Sequence, residues 1–317
     1  MKYLKLLRIQ NLLLLAFMQV LFRYTFLKTA TFTTLTTSKN FLALSHFQFF
    51  LLVLATVCIA AAGYVINDIL DQETDEIAKK RIVGKSISES TAYNLYVALN
   101  LIGVGSGFYI SNVIQKPSFA ALFIFTAAIL YVYATWLKQI AIVGNIVVAL
   151  VLSFSILILG IFDLVPSTHE GNEIWEGNKV QMRRVFSILT DYAIFAFIIN
   201  FLRELVKDIE DTDADYASGI ATLPVLIGKS RTIKIVFALS FLPIILLVFY
   251  MNNNLANYDY AIYYFLLFII APLLFFTIKS WSAKTQKDYS NLSLLLKIIL
   301  FFGIVSIAVI TYSVPNA

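Results

Sequence analysis

The feature that most constrains this chain is a series of long segments without charge. One of them, FFLLVLATVCIAAAGYVI (Phe49–Ile66), contains no Asp, Glu, Lys or Arg. A helix that crosses the hydrocarbon core of a bilayer needs about 20 mostly apolar residues. Because the apolar runs are continuous, whereas barrel strands alternate every second residue, we predict an all-α fold, a polytopic membrane bundle of about nine transmembrane helices. The predicted segments are residues 9–28, 46–67, 92–112, 118–137, 140–164, 183–204, 233–251, 259–279 and 293–314.

The composition excludes an ordinary soluble protein. Hydrophobic residues make up 60% of the 317 residues and charged residues only 14%, whereas a soluble domain carries roughly 25% charged residues. No separate soluble domain interrupts the apolar runs, so we expect one integral-membrane domain that covers residues 1–317. The single cysteine, Cys58, lies within an apolar run, which excludes an internal disulfide.

Two acidic clusters break the apolar pattern. NDILDQETD (Asn67–Asp75) follows the second predicted helix, and RELVKDIEDTDAD (Arg203–Asp215) follows the sixth. Eleven of the nineteen carboxylates in the chain lie in residues 68–76 or 204–215. Four predicted crossings separate the two clusters. We therefore expect both clusters on the same side of the membrane, facing one another at one mouth of the bundle.

The basic residues indicate which side that mouth faces. On the predicted topology, seventeen of the twenty-four Lys and Arg residues lie on the side of the acidic clusters. Positive residues are in excess on the cytoplasmic side of membrane proteins, so we predict that the mouth is cytoplasmic. This asymmetry accounts for the net charge of +5, and we expect no nucleic-acid partner.

Within each cluster the residue spacing places several carboxylates on one helix face. At 100° per residue, one 100° sector holds four polar residues of the first cluster, Asn67, Asp68, Asp71 and Asp75. The second cluster gives a narrower stripe, Glu204, Asp208, Asp211 and Asp215. Two other carboxylates, those of Glu210 and Asp213, point away from this stripe and are expected in solvent.

The aligned carboxylates require a neutralising cation, because like charges on one helix face repel. Carboxylate oxygens without a nearby His or Cys suit Mg²⁺, which takes one or two protein carboxylates and completes its shell with water and phosphate oxygens. We interpret the clusters as a site where Mg²⁺ bridges the protein to a diphosphate, with the metal ligands Asp68, Asp71, Asp75, Asp211 and Asp215. For either cluster alone, the alternative is a solvated cytoplasmic loop.

The two motifs resemble those of the UbiA-type intramembrane prenyltransferases. The first family motif, NDxxDxxxD, is matched at every fixed position by Asn67–Asp75, and the second, DxxxD, by residues 211–215, with Asp208 one turn earlier. The resemblance covers essentially the whole chain, and it includes an arginine–asparagine pair (Arg8 and Asn11) and the stretch YATWLKQIAIVGN. One departure follows the first motif, where EIAKKRIVGKSIS is shorter than the family pattern and lacks its prolines.

The resemblance implies an enzyme that transfers a prenyl group from an allylic prenyl diphosphate to a lipophilic acceptor in the lipid bilayer, with Mg²⁺ as cofactor. The implied catalytic residues are Asn67, Asp68, Asp71, Asp75, Asp208, Asp211 and Asp215. The implied substrate-binding residues are Arg8, Asn11, Arg81, Tyr133, Lys138 and Lys207. For Lys138 the alternative is a lysine that snorkels at the membrane edge. For Lys207, as for Arg203, the alternative is an ion pair with the acidic cluster.

The acceptor is implied by one branch of that family. RELVKDIEDTDAD followed by GIATLPVLIGKSR resembles the branch that alkylates geranylgeranylglyceryl phosphate on a glycerol hydroxyl. The alternative within the family is an aromatic acceptor of the hydroxybenzoate, naphthoate or tetrapyrrole type. A different class, a membrane transporter or a cation channel with an acidic mouth, is the second alternative. Against it, the carboxylates sit at helix ends and not at the midplane.

Four other polar residues have simpler interpretations. Asp191 lies inside the sixth predicted helix, and we interpret it as the structural partner of an arginine in the same segment. Asn145 is interpreted as a residue of helix packing or of a helix start. His46 and His169 are isolated, and neither has a predicted catalytic role.

Overall fold

The computed structural model describes residues 2–29, 32–33, 38–39, 42–167 and 173–313, and nearly all of them are helical. Two strands of two residues, Phe32–Thr33 (β1) and Ser38–Lys39 (β2), pair antiparallel. The first seven helices are α1 Lys2–Leu6, α2 Ile9–Leu21, α3 His46–Leu70, α4 Gln72–Ile77, α5 Glu89–Val113, α6 Ala120–Thr135 and α7 Val143–Asp163. The remaining helices are α8 Glu173–Ala217, α9 Leu223–Ile227, α10 Lys229–Leu239, α11 Phe241–Tyr250, α12 Asp259–Phe265, α13 Ala271–Ser282 and α14 Gln286–Ser313.

Short segments of other helical types extend these helices. Three are π-helical, Phe22–Leu27, Met251–Leu255 and Leu266–Ile270, and three are 3₁₀ turns, Pro117–Phe119, Leu137–Gln139 and Val165–Ser167. Each π segment continues directly from an α-helix, so the chain runs on as one long helix. Long helices of this kind satisfy their own backbone polar groups, which a bilayer requires.

Eight of the described helical segments are long and apolar enough to cross a membrane. They are Ile9–Leu27, His46–Leu70, Pro117–Thr135, Val143–Asp163, Met182–Ala217, Lys229–Leu255, Asp259–Ser282 and Gln286–Ser313. The remaining predicted span, residues 92–112, corresponds to α5, which has twenty-five residues. Its asparagines, tyrosines, serines and glycines make it less apolar than the other eight. The prediction of an all-α membrane bundle is confirmed, and its count of about nine is reached when α5 is included.

The chain forms two compact units. Unit 1 comprises Met1–Leu137 and Ser153–Ala193, and unit 2 comprises Lys138–Leu152 and Ile194–Ala317. The first acidic cluster belongs to unit 1 and the second to unit 2.

The core of unit 1 is built around α3. This helix begins at a capping box in which the Ser45 hydroxyl accepts from the backbone N–H of Gln48 and the Gln48 side chain accepts from the backbone N–H of Ser45. It packs against α5 and α6. A glycine allows α5 to approach α3 closely: a Cβ added at Gly103 would lie 2.7 Å from Cγ1 of Ile59 in α3. Close helix packing through glycine is a common feature of membrane bundles.

Unit 2 is a set of packed helices at the C-terminal part of the chain. In it α13 packs against both α10 and α14, and α12 packs against α14. The hydroxyls of Ser240 and Thr277 are buried and 2.8 Å apart. Such a hydrogen bond joins two helices where neither hydroxyl reaches water.

Candidate active site

The first acidic motif lies where α3 ends and α4 begins. Asn67 and Asp68 are in the last turn of α3, Asp71 stands at the junction, and Asp75 is in α4. The backbone N–H of Asp71 donates to the Asn67 carbonyl at 2.9 Å, and that of Asp75 donates to the Asp71 carbonyl at 2.8 Å. These bonds have the four-residue spacing of an α-helix. The helical register therefore continues through the junction and keeps the motif on one side.

Asn67 and Asp71 make the tightest contact inside the motif. The Asn67 amide Nδ2 donates to Asp71 Oδ2 at 2.6 Å. The amide oxygen of the same residue, Oδ1, is buried and has no hydrogen-bond partner in the described part of the chain. A buried amide oxygen without a donor is costly. Asp71 thus orients the Asn67 amide, and Asn67 Oδ1 is available to a ligand.

Asp68 is paired with an arginine from the start of the chain. Arg8 Nη2 lies 3.2 Å from Asp68 Oδ1, and Asp68 is buried. The Arg8 guanidinium also lies over the ring of Tyr64, 4.9 Å from its centroid, and Asn11 donates to the Tyr64 hydroxyl at 3.3 Å. The structure therefore brings the predicted pair Arg8 and Asn11 to the first motif, with Tyr64 between them.

Arg8 adopts an unusual backbone conformation at this point. Its φ of 47° and ψ of 51° are left-handed, and it stands at the N-terminal boundary of α2. Such a conformation is rare and unfavourable for a residue with a Cβ, and it persists where surrounding contacts hold it. The contacts to Asp68 and Tyr64 supply that restraint.

Asp75 has the strongest electrostatic perturbation among the motif residues outside the spanning segments. Burial, together with the charges of Asp68 and Asp71, raises the pKa of Asp75 to about 6. The positive charges of Arg8 and Lys80 act in the opposite direction. The metal-free motif thus holds more negative charge than its own cations offset.

Arg81 is engaged by the loop that follows α4. Its guanidinium donates to the Val83 carbonyl at 2.9 Å and to Gln72 Oε1 at 3.0 Å, and it lies 3.4 Å from Glu76 Oε2. These contacts hold the loop against α4. The predicted role of Arg81 in substrate binding stays a prediction.

Tyr133, near the end of α6, packs against the buried residues that surround the end of α3, which include Val65 and Ile69. It is therefore close to the helix end that carries the first motif. Its role in substrate binding also stays a prediction.

The second acidic motif lies in the last turns of α8. Asp208 accepts a hydrogen bond of 2.8 Å from the amide of Asn145, which is buried near the start of α7. Asp215 is buried and accepts from the Thr222 hydroxyl at 3.2 Å. Asp211 lies between them and is half-buried. Asn145 lies in the first turn of α7, which agrees with its interpretation as a residue of a helix start, and its amide also binds a carboxylate of the second motif.

Lys138 is held near the second motif by backbone pairing. It lies in the 3₁₀ turn Leu137–Gln139, and Ile140, two residues later, forms a parallel bridge with Ala221. Ala221 precedes the threonine that donates to Asp215. The segment of Lys138 therefore adjoins the loop after the second motif, and the lysine is half-buried there.

Two basic residues of α8, Arg203 and Lys207, contact Glu204. Arg203 Nη1 lies 3.3 Å and Lys207 Nζ 3.1 Å from the same oxygen, Glu204 Oε1. The predicted ion pairing with the cluster is therefore present for both. Asp213, by contrast, is 90% exposed and lies 2.8 Å from Lys229, in agreement with its predicted position in solvent.

Three minor predictions have different outcomes. His46 accepts or donates a hydrogen bond of 2.7 Å with the Tyr24 hydroxyl and stacks on that ring, at the far end of α3 from the first motif. Asp191 forms no ion pair with either Arg183 or Arg184 within the described ranges. His169 lies outside the described residues.

The side chains of the first motif offer oxygen ligands for a divalent cation. No three His, Cys, Asp or Glu side chains of the described residues converge to hold a metal ion by themselves. Mg²⁺ typically takes one or two protein carboxylates and keeps oxygens from water and phosphate. The unpartnered Asn67 Oδ1 next to the Asp71 carboxylate offers hard oxygen ligands of the required kind. The residues of the motifs therefore fit the ion.

Known proteins resemble this chain over most of its length. The model of the UbiA prenyltransferase family matches residues 28–302. The chain is 32% identical over 250 residues to digeranylgeranylglyceryl phosphate synthase of Korarchaeum cryptofilum, which covers 77% of this chain and 78% of that protein. It is 28% identical over 256 residues to the protein of the same name from Methanobrevibacter smithii, covering 79% and 84% of the two chains.

A solved structure has the same fold. A UbiA homologue from Archaeoglobus fulgidus, bound to DMAPP and Mg²⁺, has a TM-score of 0.57 at 18% identity and covers 98% of this chain and 100% of its own.

The membrane-spanning helices, with two acidic motifs at helix ends, are those of an intramembrane prenyl-transfer enzyme. This chain belongs to the UbiA prenyltransferase family. It is an integral membrane protein.

Proposed function

We propose that this prenyltransferase transfers a geranylgeranyl group from geranylgeranyl diphosphate to geranylgeranylglyceryl phosphate, with Mg²⁺ as cofactor. The observation that carries the proposal is the first motif, in which Asn67, oriented by Asp71, keeps a buried oxygen without a partner. The acceptor follows from the relatives that carry the name digeranylgeranylglyceryl phosphate synthase. Mg²⁺ and a prenyl diphosphate were bound together in the Archaeoglobus fulgidus homologue.

The reaction substitutes one oxygen for another on the first carbon of the prenyl chain. The bond between this carbon and the diphosphate oxygen breaks, a bond to the glycerol hydroxyl oxygen forms, and the hydroxyl proton is released. When bound, Mg²⁺ supplies positive charge for the leaving diphosphate. Asp68, Asp71 and Asp75 in one motif, and Asp211 and Asp215 in the other, would hold Mg²⁺, with one or two of these carboxylates on each ion.

The side chains of the protein have two further tasks in this reaction. Arg8 keeps Asp68 in place through their ion pair, and Asn145 keeps Asp208 in place through its amide. Lys138 would offer positive charge to the diphosphate from the segment that adjoins the second motif. The apolar spans exclude water, which would otherwise compete with the acceptor hydroxyl.

We infer that both motifs serve one diphosphate in one catalytic domain that faces the cytoplasm. The support is the crossing count in the sequence, with four spans between the motifs when α5 is counted. Seventeen of twenty-four Lys and Arg residues fall on the same side as the motifs on this topology, which favours the cytoplasmic face.

The test is an assay of the purified protein in detergent with labelled geranylgeranyl diphosphate, Mg²⁺ and a panel of acceptors. We expect a labelled lipid product with geranylgeranylglyceryl phosphate, none after chelation by EDTA, and recovery on addition of Mg²⁺. Transfer to a hydroxybenzoate or a naphthoate, with none to the glyceryl phosphate, would replace the acceptor. Turnover that survives exhaustive chelation would overturn the role of Mg²⁺.

A further inference from the structure

The last two helices of unit 2 enclose a cleft that the proposed Mg²⁺ site does not use. α13 ends at Ser282, α14 begins at Gln286, and the two helices pack against each other. Between them lies a cleft of about 400 Å³, a volume within the usual range for sites that bind small molecules. Most of the residues that line the cleft are exposed, so it is open at the surface of the unit.

The α13 side of the cleft is formed by one face of the helix. Phe275, Lys279 and Ser282 line it, and their spacing of i, i+4 and i+7 places them on the same face. The Lys279 ammonium lies over the Phe275 ring, 5.5 Å from its centroid. Because Phe275 also lines the cleft, the lysine side chain lies along the cleft wall.

The α14 side shows the same order of polarity. Asp288, Asn291, Leu295 and Ile298 line it, with the spacing i, i+3, i+7 and i+10 of one helix face. The two polar residues come first, near the turn between the helices, and the two apolar residues follow deeper in the span. From Asp288 to Ile298 the helix rises by about 15 Å. The cleft is therefore polar at its turn end and apolar over the rest of its length.

The polar end of the cleft carries net positive charge. Residues 279–291 contain one carboxylate, that of Asp288, and three exposed lysines, Lys279, Lys284 and Lys287. The carboxylate caps α14, because Asp288 Oδ2 accepts from the backbone N–H groups of Lys284 at 3.1 Å and of Thr285 at 2.9 Å. Lys279 forms no ion pair with a residue of the described ranges. An anion at this end of the cleft would therefore have a cationic partner.

Two observations indicate that the polar end lies near the membrane surface. Trp281 is 65% exposed, and tryptophans of spanning helices are enriched at the interface between hydrocarbon and water. Gln286 Nε2 donates to the Glu210 carbonyl at 3.4 Å, so the turn adjoins the end of α8 that carries the second motif. On the topology proposed above this end faces the cytoplasm, where anionic lipid headgroups attract lysines near the surface.

We propose that the cleft between α13 and α14 binds one anionic phospholipid of the bilayer. The lipid phosphate lies at Lys279, whose ammonium donates to its oxygens, and one lipid chain lies along the apolar wall formed by Leu295 and Ile298. A soluble anion would leave this apolar wall uncovered, and a neutral lipid would leave the Lys279 charge without a counter-charge. Binding at this cleft is independent of the acceptor that the enzyme uses.

The test follows thermal unfolding of the full-length protein in detergent, freed of co-purified lipid, with increasing dioleoylphosphatidylglycerol or dioleoylphosphatidylcholine. The anionic phosphatidylglycerol should raise the unfolding temperature and reach half-saturation at a concentration roughly fivefold below that of the zwitterionic lipid, the preference that one lysine near a headgroup supplies. Lys279→Met should raise the half-saturating concentration of phosphatidylglycerol by the same factor and leave that of phosphatidylcholine unchanged. Lys279→Arg should keep the preference.

Two control variants separate the cleft from its surroundings. Ser282→Trp fills the cleft beside Lys279 without a change of charge, so it should weaken the binding of both lipids. Lys234→Met removes an exposed lysine of α10 that does not line the cleft, and it should leave both half-saturating concentrations within about twofold of the wild type. Inorganic phosphate at the same concentrations should not raise the unfolding temperature.

Four outcomes would overturn the proposal. Equal losses in Lys279→Met and Lys234→Met would mean that the lipid responds to the overall charge and not to the cleft. Unchanged lipid binding in Ser282→Trp would place the lipid elsewhere on the protein. Stabilisation by inorganic phosphate alone would replace the lipid by a free anion. A change of oligomeric state in Ser282→Trp, measured by light scattering, would make the cleft a contact with a second copy of the chain.

Discussion

Buried polar groups lie at both ends of α3, and the balance of charge differs between the two ends. At its N-terminal end, Arg23 and Asp163 form an ion pair in which the side chains are 2% and 0% exposed. Arg23 Nε lies 2.9 Å and Nη2 3.4 Å from the two carboxylate oxygens. The Asp163 carboxylate also accepts from the backbone N–H of Leu44 at 3.1 Å, and Arg23 donates to the Leu44 carbonyl and lies over the Phe49 ring.

At the C-terminal end, about 37 Å away along the helix axis, the balance is different. Three aspartates of the first motif share the charges of Arg8 and Lys80, and the amide oxygen of Asn67 has no partner within the described residues. Each end has one buried polar atom without a hydrogen-bond partner among the described residues, Arg23 Nη1 at the N-terminal end and Asn67 Oδ1 at the C-terminal end. The N-terminal end is a nearly neutral ion pair, whereas the C-terminal end holds excess negative charge. This difference in charge balance indicates that the N-terminal pair stabilises the fold and that the C-terminal end binds a cationic ligand.

The largest expected effect is the loss of catalysis at the ligand end. Asp71→Ala removes a predicted metal ligand and the acceptor that orients Asn67, so we expect turnover to fall roughly 1,000-fold or more. Thermal stability should change little, because the motif carries excess negative charge. The measurement is kcat with labelled donor, alongside an unfolding curve for the same preparation.

Asp213→Asn is the matched control, since this aspartate is exposed on α8 and pairs with Lys229. It should keep activity near that of the wild type. Near-normal turnover in Asp71→Ala would refute the assignment of the first motif to the donor site.

The next effect is a loss of stability at the other end of α3. Asp163→Asn leaves the Arg23 charge buried without its counter-charge, which should lower the free energy of unfolding by about 3 kcal/mol. The protein that remains folded should keep its kcat. Unfolding can be followed through Cys58, the single cysteine, which is buried in α3 and would react with a thiol dye only when the helix packing opens.

A double variant sharpens this result. Arg23→Met combined with Asp163→Leu removes both charges and should be more stable than Asp163→Asn, because no unpaired charge remains. If Asp163→Asn proved as stable as the wild type but inactive, the functional distinction between the two ends of α3 would be wrong.

The sequence predicted the class of fold and the catalytic motifs because both depend on local periodicity. Continuous apolar runs indicate spanning helices, and the spacing of Asn67, Asp68, Asp71 and Asp75 survives in the structure although α3 ends at Leu70. The i to i−4 bonds through Asp71 preserve the register. α5 shows the limit of hydropathy as a signal, since its many small and polar residues make this long helix less apolar than the other spanning helices.

Contacts between distant parts of the chain could not be predicted in the same way. Asn145 and Asp208 are 63 residues apart, and Arg23 and Asp163 are 140 apart. In the sequence, Arg23 is one cation near the end of an apolar run and Asn145 is one amide after a glycine. Nothing in their local spacing identifies their partners, because the packing of helices brings the partners together.

The contact of Asn145 predicts an intermediate effect on catalysis. Asn145→Ala removes the donor that orients Asp208, and the loss of such a supporting contact typically costs 10- to 100-fold in activity. We expect a fall in kcat of roughly 10-fold, with a higher Mg²⁺ concentration needed for half-maximal rate. Asn100→Ala is the control, because Asn100 bonds to Tyr96, one turn away in its own helix. Equal effects of the two substitutions would mean that Asn145 serves packing alone.

The smallest expected effect concerns the charge at Asp75 in the metal-free protein. The pKa of Asp75 is raised to about 6 by burial and by Asp68 and Asp71, whereas in the unfolded chain it titrates near 4. The folded state therefore binds the proton more tightly, and metal-free stability should fall as the pH rises from about 4 to about 6 and stay lower above it. Because Asp75 is partly exposed, we expect a loss of about 1 kcal/mol once solvent screening is included.

Asp75→Asn should remove this loss: in EDTA at pH 7.5 the variant should unfold at a higher temperature than the wild type, and at pH 4 the two should agree. Addition of Mg²⁺ at pH 7.5 should stabilise the wild type more than the variant. If Asp75→Asn lowered metal-free stability at pH 7.5, the excess negative charge that distinguishes this end of α3 from the Arg23–Asp163 end would not exist.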